Sequence, residues 1–262
     1  MIKLIATDID GTLLHSDHTL PVDLPELIHT LRAHKILFSV ASGRPYLTLK
    51  QSFEPLSPDI LYIADNGSHV VYQGKEIAVH AINNSIIKEL IIITRELPRA
   101  YSVVCTTNGA FVESTEPAFL MELEKYYVKY TVVEDLTKLN EQVIKYTVCD
   151  LNGAEDHSYP HFLSYQEKIQ LSVAGFVWLD CMQKGINKGT AIKEIQNLYH
   201  ITPEESMAFG DYLNDLEMMQ SVYYSFAMAN AHDDLKKVSR FETTSNDEDG
   251  VTTKIKEMCN LT

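Results

Sequence analysis

Leu4-Ile5-Ala6-Thr7-Asp8-Ile9-Asp10-Gly11-Thr12-Leu13-Leu14 is the stretch whose reading decides the fold. A short apolar run stops abruptly at two carboxylates two residues apart. That is the pattern of a buried strand delivering acids to its C-terminal tip. In open α/β sheets, ligands bind at that end of the strands. Period-two alternation leans Asp8 and Asp10 to one side and points Ile9 away. Gly11 lets the backbone turn tightly, and Thr12 adds a hydroxyl at the turn. Two converging acids can hold a hard cation and leave one free for covalent chemistry. Asp-x-Asp-Gly also occurs in surface turns and calcium sites, so the rest of the chain has to decide.

Working outward, the N-terminal third alternates strands and helices. Ile2 to Thr7, Ile36 to Ala41 and Ile60 to Ala64 read as buried strands. Pro21 to His34 and Tyr46 to Phe53 read as helices, the first with Leu24, Leu27, Ile28 and Leu31 on one face. This order predicts a parallel sheet with right-handed crossovers. Val70 to Tyr72 and Glu76 to Val79 form a hairpin pattern about Gln73-Gly74-Lys75. From Ile82 the character changes. A helix is expected over Ser85 to Leu97, and a hairpin over Val103 to Glu113 about Asn108-Gly109. Helices are expected over Glu116 to Tyr127 and near His161 to Glu167. Strands are expected over Val143 to Cys149, Gln170 to Val173 and Phe176 to Asp180. After Gly185 the first style returns. Lys188 to Tyr199 reads as a helix with Ile192, Ile195 and Leu198 inward. Short strands follow at Ser206 to Phe209 and Ser225 to Met228, with a helix over Asp215 to Ser221 between them. The fold class is therefore α/β. A Rossmann-like parallel-sheet core over 1–81 and 185–262 is interrupted by an inserted α+β segment over 82–184.

Composition narrows the function. The chain has 262 residues, 45% of them hydrophobic, which is ample for one large or two modest domains. Its 22 basic and 36 acidic side chains give a formal net charge of −14. Such a chain is a poor partner for nucleic acid or an anionic membrane, and any phosphate site must be locally positive. Cys105, Cys149, Cys181 and Cys259 are widely spaced, as expected of reduced thiols in a cytoplasmic protein. No signal peptide and no apolar run of membrane-spanning length are read.

Four polar clusters fall at strand ends or helix starts of the expected core: Asp8/Asp10/Thr12, Ser42-Gly43-Arg44, Lys188, and Gly210-Asp211 with Asn214-Asp215. Ser42 could instead cap a helix, and Gly210-Asp211 could be a capped loop. Lys188 is unusual because cations are disfavoured at a helix N-terminus, unless an anion sits there. Histidines offer no zinc pattern, His29 and His34 are read as surface residues, and His157 and His161 give only weak spacing toward a substrate face. Tyr126, Tyr127 and Tyr130 are read as packing or surface residues. Asp233-Asp234 reads as a helix start. Asn246 to Asp249 lacks full calcium-loop spacing.

Taken together, the ordered motifs Asp-x-Asp-Gly-Thr, Ser-Gly-Arg, Lys-Gly and Gly-Asp-x-x-Asn-Asp resemble the haloacid dehalogenase superfamily of phosphatases. Asn246 to Val251 is similar to the C-terminal signature of its Cof-type subgroup. Asn187, before Lys188, departs from the serine or acid more usual there. The resemblance implies a large α+β cap and a Mg²⁺-dependent phosphatase acting through an aspartyl-phosphate. Asp8 would be the nucleophile and Asp10 the acid and base. Lys188 would neutralise charge. Mg²⁺ would be held by Asp8, the Asp10 main-chain carbonyl and Asp211, with Asp215 binding through water or orienting Asp211. Thr12, Ser42, Asn214 and the backbone at Ile9 and Gly43 would hold phosphoryl oxygens. Arg44 would reach the cap or make a structural salt bridge. The partner expected is a small phosphate ester, with sugar phosphates first because the inserted segment looks polar and tyrosine-rich. The chain is expected to be a monomer or weak homodimer. A phosphomutase or other phosphotransferase, or a catalytically silent binding module, are the alternatives.

Overall fold

In the computed structural model, which describes residues 1–54 and 56–261, the opening apolar run becomes β1 (Leu4–Thr7), every residue of it buried. Residues 55 and 262 of the expected core segments lie outside that description. Burial on both faces of a parallel strand accounts for the unbroken apolar run. Then come α1 (Leu24–Ala33), β2 (Leu37–Ala41), α2 (Tyr46–Ser52), β3 (Ile60–Ala64), β4 (His69–Tyr72) and β5 (Lys75–Val79). The buried face of α1 is Leu24, Leu27, Ile28 and Leu31, as its periodicity predicts.

The middle of the chain builds a second sheet. Its elements are α3 (Asn84–Glu96), β6 (Ala100–Thr106), β7 (Gly109–Val112), α4 (Pro117–Leu123), β8 (Tyr130–Val132), β9 (Lys145–Asp150), α5 (Tyr159–Phe162), β10 (Ile169–Ala174) and β11 (Trp178–Gln183). The chain then returns to the first sheet through α6 (Lys188–Tyr199), β12 (Ser206–Gly210), α7 (Leu216–Gln220), β13 (Tyr224–Ala227), α8 (Asp233–Val238), β14 (Phe241–Glu242) and α9 (Gly250–Cys259). Among the described residues, no helix is long and apolar enough to cross a membrane.

The first sheet has the order β14-β13-β12-β1-β2-β3-β4-β5. Its pairings are parallel from β14 to β3, and antiparallel for β4 and β5. From β1 the chain proceeds outward through β2 and β3 on one side. On its return it proceeds outward through β12, β13 and β14 on the other. The order therefore reverses between β1 and β12, which opens a crevice at their carboxyl ends. Asp8 follows β1 and Asp211 follows β12. Thr7 pairs with Phe209, and the Asp8 N–H donates to the Phe209 carbonyl at 3.0 Å. The two acids are thereby brought to one place.

The second sheet has the order β10-β11-β9-β6-β7-β8 and is antiparallel except between β7 and β8. Alternation along β9 sends Tyr146 and Val148 into one apolar cluster and Cys149 into another. Lys145 and Thr147 share the Cys149 side. On β11 the same alternation puts Trp178 and Asp180 on that side, with Asp180 paired to Thr147.

Three local expectations need correction. Leu198 is 53% exposed, because the inward place in the last turns of α6 goes to Gln196, whose amide bonds Ser206 Oγ and the Ser221 carbonyl. The helix after Glu116 stops at Leu123 rather than Tyr127. The segment near His161 begins earlier, as a wide turn over Ala154–Ser158, and continues into α5 with a proline in its first turn. Strands β8 and β14 are too short for periodicity to reveal.

One packing contact ties α6 to α7. A Cβ placed on Gly189 would lie 2.3 Å from the Glu217 carbonyl oxygen. Backbone cannot move aside as a flexible side chain can, so Gly189→Ala should destabilise the protein by about 1–3 kcal/mol through overpacking. Urea unfolding followed by circular dichroism would check this, and an unchanged midpoint would refute it.

Candidate active site

Asp8 leaves β1 almost fully buried, at 6% exposure. Its Oδ1 accepts from Lys188 Nζ at 2.6 Å, and the same ammonium donates to Asp215 Oδ1 at 2.7 Å. Lys188 and Asp215 are wholly buried. Lys188 is the first residue of α6, where the helix dipole alone would disfavour it. The anions that hold it there are the two carboxylates. Asn187, the departure noted in the sequence, caps the helix: its Oδ1 accepts from Thr190 N at 2.9 Å, and Thr190 Oγ1 accepts from the Asn187 N–H.

Asp215 does more than pair with the lysine. Its Oδ2 accepts from the Asp211 N–H at 3.2 Å and from the Tyr212 N–H at 3.4 Å, which fixes the loop after β12. Asp211 also accepts from Thr12 Oγ1 at 2.8 Å. Thr12 is thus placed against Asp211, with its hydroxyl committed there. Gly11 has φ +78°, and a Cβ on it would come within 2.4 Å of Asp211 Oδ2. Both the turn and the close approach of Asp211 therefore require glycine there.

Oxygens of Asp8, Asp211 and Asp215 lie within 4.8 Å of one another. Burial drives the Asp8 carboxyl well above its ordinary range. Lys188 opposes the shift, while Asp215, Asp211 and Asp10 add to it by repulsion. Asp211 is pushed up to about 6, first by burial and then by Asp215, against its bond from Thr12. Burial pulls the Lys188 ammonium down, but Asp215 and Asp8 outweigh it and hold the proton more firmly than usual. With all three carboxylates ionised, the cluster would carry two more negative charges than the Lys188 ammonium balances. A hard divalent cation with oxygen ligands fits that donor set and that charge. Asp10 stands apart from the three. Its Oδ2 accepts from Arg44 Nε at 2.9 Å and its Oδ1 from Arg44 Nη2. Both side-chain oxygens of Asp10 are thus committed to Arg44.

The remaining sequence-derived residues surround this cluster. Asp8, Asp10, Ser42, Gly43, Arg44 and Asn214 line a cavity of about 270 Å³ above the strand ends. Ser42 does not cap α2, whose N-cap is Pro45; its Oγ accepts from the Arg44 N–H at 3.1 Å. Ile9 buries its side chain at 2% exposure, so only its backbone is left to serve a ligand. Arg44 satisfies both of its readings, pairing with Asp10 and lying over the Tyr126 ring at 5.5 Å. His157 instead bonds Asp150 through Nδ1 at 2.8 Å. His29, His34 and His161 are exposed.

The second sheet closes the cavity from above with residues that the sequence reading passed over. Lys145, only 1% exposed, donates to the Gly43 carbonyl at 2.6 Å and stands 3.0 Å from Asp65. Burial pulls its ammonium down, but Asp180, Tyr127 and Asp65 together hold it well above the usual lysine range. Asp180 accepts from Asn66 Nδ2 at 2.7 Å and from Thr147 Oγ1 at 2.8 Å. Thr48 Oγ1 donates to the Tyr126 carbonyl at 2.7 Å. The available signal was a lysine at one alternating position of an apolar run, Val143 to Cys149, and an aspartate inside another, Val177 to Met182. Opposite charges in two buried strands call for each other.

Comparison with known proteins agrees with this architecture. Residues 5–255 match the haloacid dehalogenase-like hydrolase family. The chain is 28% identical over 259 residues to the Escherichia coli 5-amino-6-(5-phospho-D-ribitylamino)uracil phosphatase YbjI, covering 95% of this chain and 93% of that one. It is 28% identical over 239 residues to an Escherichia coli HMP-PP phosphatase, covering 90% and 87%. Among solved structures, SMU.1108c from Streptococcus mutans superposes with a TM-score of 0.91 at 25% identity, over 99% of this chain and 100% of that one. A haloacid dehalogenase-like hydrolase from B. subtilis shares the fold, with a TM-score of 0.87 at 22% identity over 98% and 100%.

Proposed function

The chain belongs to the haloacid dehalogenase-like hydrolase family and is a phosphoric monoester hydrolase, and from that premise we propose that it is a Mg²⁺-dependent phosphatase working through an aspartyl-phosphate on Asp8. The observation that carries this reading is the buried Asp8–Lys188–Asp215 ion triad, with Asp211 beside it, beneath the cavity. Lys188 occupies Asp8 Oδ1, so attack on phosphorus falls to the other carboxylate oxygen. A bond forms from that oxygen to phosphorus as the ester P–O bond breaks, and the leaving oxygen takes a proton from Asp10. Water then attacks the acyl-phosphate while Asp10 removes its proton, which restores Asp8 and releases phosphate. Ser42, Asn214 and the backbone at Ile9 and Gly43 hold the phosphoryl oxygens, and Lys188 offsets their charge.

Asp10 has to change partner for this sequence to run. Both of its oxygens accept from Arg44, and in that arrangement the carboxyl cannot donate to a leaving group. An arriving phosphate dianion competes for the guanidinium and frees Asp10 to turn toward the ester oxygen. Asp8, Asp211 and the Asp10 carbonyl are the groups that would hold Mg²⁺, with Asp215 orienting Asp211 through its loop. The ion supplies charge neutralisation for the phosphoryl group.

Metal removal tests the assignment. EDTA should abolish phosphate release from p-nitrophenyl phosphate, and Mg²⁺ should restore it. Ca²⁺ should restore it poorly, because its larger and looser shell can take both oxygens of Asp8. A pH-dependent signature accompanies this. Asp211 is raised to about 6, so the metal-free folded state keeps a proton that the unfolded chain has released. That contribution to stability is present below about pH 4 and is lost as the pH rises through about 6. A bound cation replaces the proton, so the rise in Tm with Mg²⁺ should grow between pH 5 and pH 7. Full activity after chelation, or a Tm indifferent to Mg²⁺ across that range, would contradict the metal assignment.

A further inference from the structure

We propose that Lys145, on β9 of the second sheet, is a positioning residue for phosphoryl binding: it completes the clamp on the Ser42-Gly43-Arg44 loop and aims the Ser42 hydroxyl at the phosphate. This rests on the reading above, in which Ser42 and the Gly43 backbone hold phosphoryl oxygens. A loop can turn its N–H groups and hydroxyl toward an anion only if its carbonyls are engaged elsewhere. Here all three carbonyls are engaged. Those of Ser42 and Arg44 accept from the Asn66 N–H at 3.0 Å and the Asp65 N–H at 3.1 Å, both in the loop after β3. The Gly43 carbonyl between them accepts from Lys145 Nζ at 2.6 Å. Two of the three clamps thus come from the first sheet's own loop, and the central one from the second sheet.

That central bond reaches Ser42 through one peptide unit. The Gly43 carbonyl and the Arg44 N–H belong to the same planar amide, and the Arg44 N–H donates to Ser42 Oγ at 3.1 Å. A cation on the carbonyl polarises the amide and strengthens its N–H as a donor. With an Oγ lone pair so engaged, the hydroxyl is left its hydrogen to donate. The rest of the clamp is fixed from several sides. Asp65 and Asn66 sit in the left-handed region, at φ +50° and +54°, which surrounding structure has to enforce. A Cβ on Gly67 would lie 2.4 Å from the Asn187 carbonyl oxygen, so this loop abuts the residue before Lys188. Side chains of the same two residues hold the second sheet: Asp65 lies 3.0 Å from Lys145 Nζ, and Asn66 Nδ2 donates to Asp180 at 2.7 Å. An aromatic corner of Tyr126, Tyr127 and Trp178 covers the ammonium, with Nζ 5.7 Å from the Tyr127 ring centre. Asp180 stands 3.8 Å from Nζ, so two carboxylates face the one ammonium and leave it no surplus charge for an anion. Its effect on phosphate therefore runs through the loop rather than through direct attraction.

A double-mutant cycle with inorganic phosphate as the probe tests this. The Kd for phosphate of Mg²⁺-loaded wild type, Lys145→Met, Ser42→Ala and the double variant would be measured by isothermal titration calorimetry. Each single change should raise the Kd about tenfold. The double variant should bind within about threefold of Ser42→Ala alone, because the lysine then has no serine to aim. If Asp65 cannot be buried without its partner, Lys145→Met combined with Asp65→Asn removes both charges and takes the place of Lys145→Met throughout. A lysine acting only on the fold, or only by its charge, would weaken binding equally with and without the serine, and such additivity would overturn the inference. So would a Kd that Lys145→Met leaves unchanged. A Kd unmoved by Ser42→Ala would take the serine out of the phosphate site and overturn the inference together with that part of the reading. Phosphate release from acetyl phosphate by wild-type enzyme tests the catalytic reading separately. If that release is absent while the coupling holds, the Asp8 chemistry fails and the role of Lys145 stands.

Discussion

Asp8→Asn is expected to lower kcat on p-nitrophenyl phosphate by roughly 10³-fold or more while leaving a folded protein. An amide cannot form the acyl-phosphate as a carboxylate does, so the loss belongs to kcat rather than to KM. The fold should survive because the substitution is nearly isosteric and removes a charge that burial and three neighbouring carboxylates already disfavour. Lys188 keeps Asp215 as a partner in the variant. Phosphate release and a thermal melt on one preparation would check both halves. Near wild-type turnover by a clean Asp8→Asn preparation would sink the mechanism. A large fall in Tm would show that the Asp8 charge stabilises the fold rather than straining it.

Where the site lies could be read from the chain because its position depends on topology, and topology follows from the order of buried strands. The runs ending at Thr7 and near Phe209 are buried throughout, and each is followed at once by acids. A parallel sheet that begins at β1 and is later extended on its other side has to reverse there, so Asp8 and Asp211 had to meet. Lys188 was legible for a different reason: a cation in the first turn of a helix requires an anion, and Asp8 with Asp215 supplies it.

What escaped the sequence depends on how two sheets face each other. Lys145 and Trp178 belong to strands whose cross-strand register no local pattern specifies. Neither the aromatic corner nor the lysine beneath it could be assigned to the cavity before β9 and β11 were paired. Thr12 illustrates the limit at a single atom. Its residue type permits a bond to either a ligand or a neighbouring carboxylate, and the fold commits the hydroxyl to Asp211. Arg44 is similar, since its residue type permits both a salt bridge and a contact to the inserted segment, and the fold supplies both partners, Asp10 and Tyr126.

Lys188→Met is expected to damage stability more than any other single change at this site, and to abolish turnover with it. Methionine preserves most of the apolar stem in a site with no solvent access, so steric loss is small. What disappears is the one positive charge among Asp8, Asp211 and Asp215, whose oxygens crowd within 4.8 Å. Removing one partner of a buried ion pair costs about 3–5 kcal/mol, because the charge left behind has lost both water and counter-ion. In a chain of this size that corresponds to a fall in Tm of roughly 6–20 °C. The raised pKa of Lys188 makes its contribution complete throughout the neutral range and lost only at strongly alkaline pH. The variant's deficit relative to the wild type should therefore be visible at pH 7. Protonation or a cation can partly replace the missing charge, so the variant should recover stability on acidification toward pH 5 and should gain more Tm from Mg²⁺ than the wild type does. Thermal melts of both proteins at pH 5 and pH 7, with and without Mg²⁺, separate this account from simple misfolding. A misfolded variant would show no cooperative transition under any of those conditions. A variant as stable as the wild type at pH 7 without metal would mean that the carboxylates are already neutral there, and that Lys188 balances no charge in the resting protein.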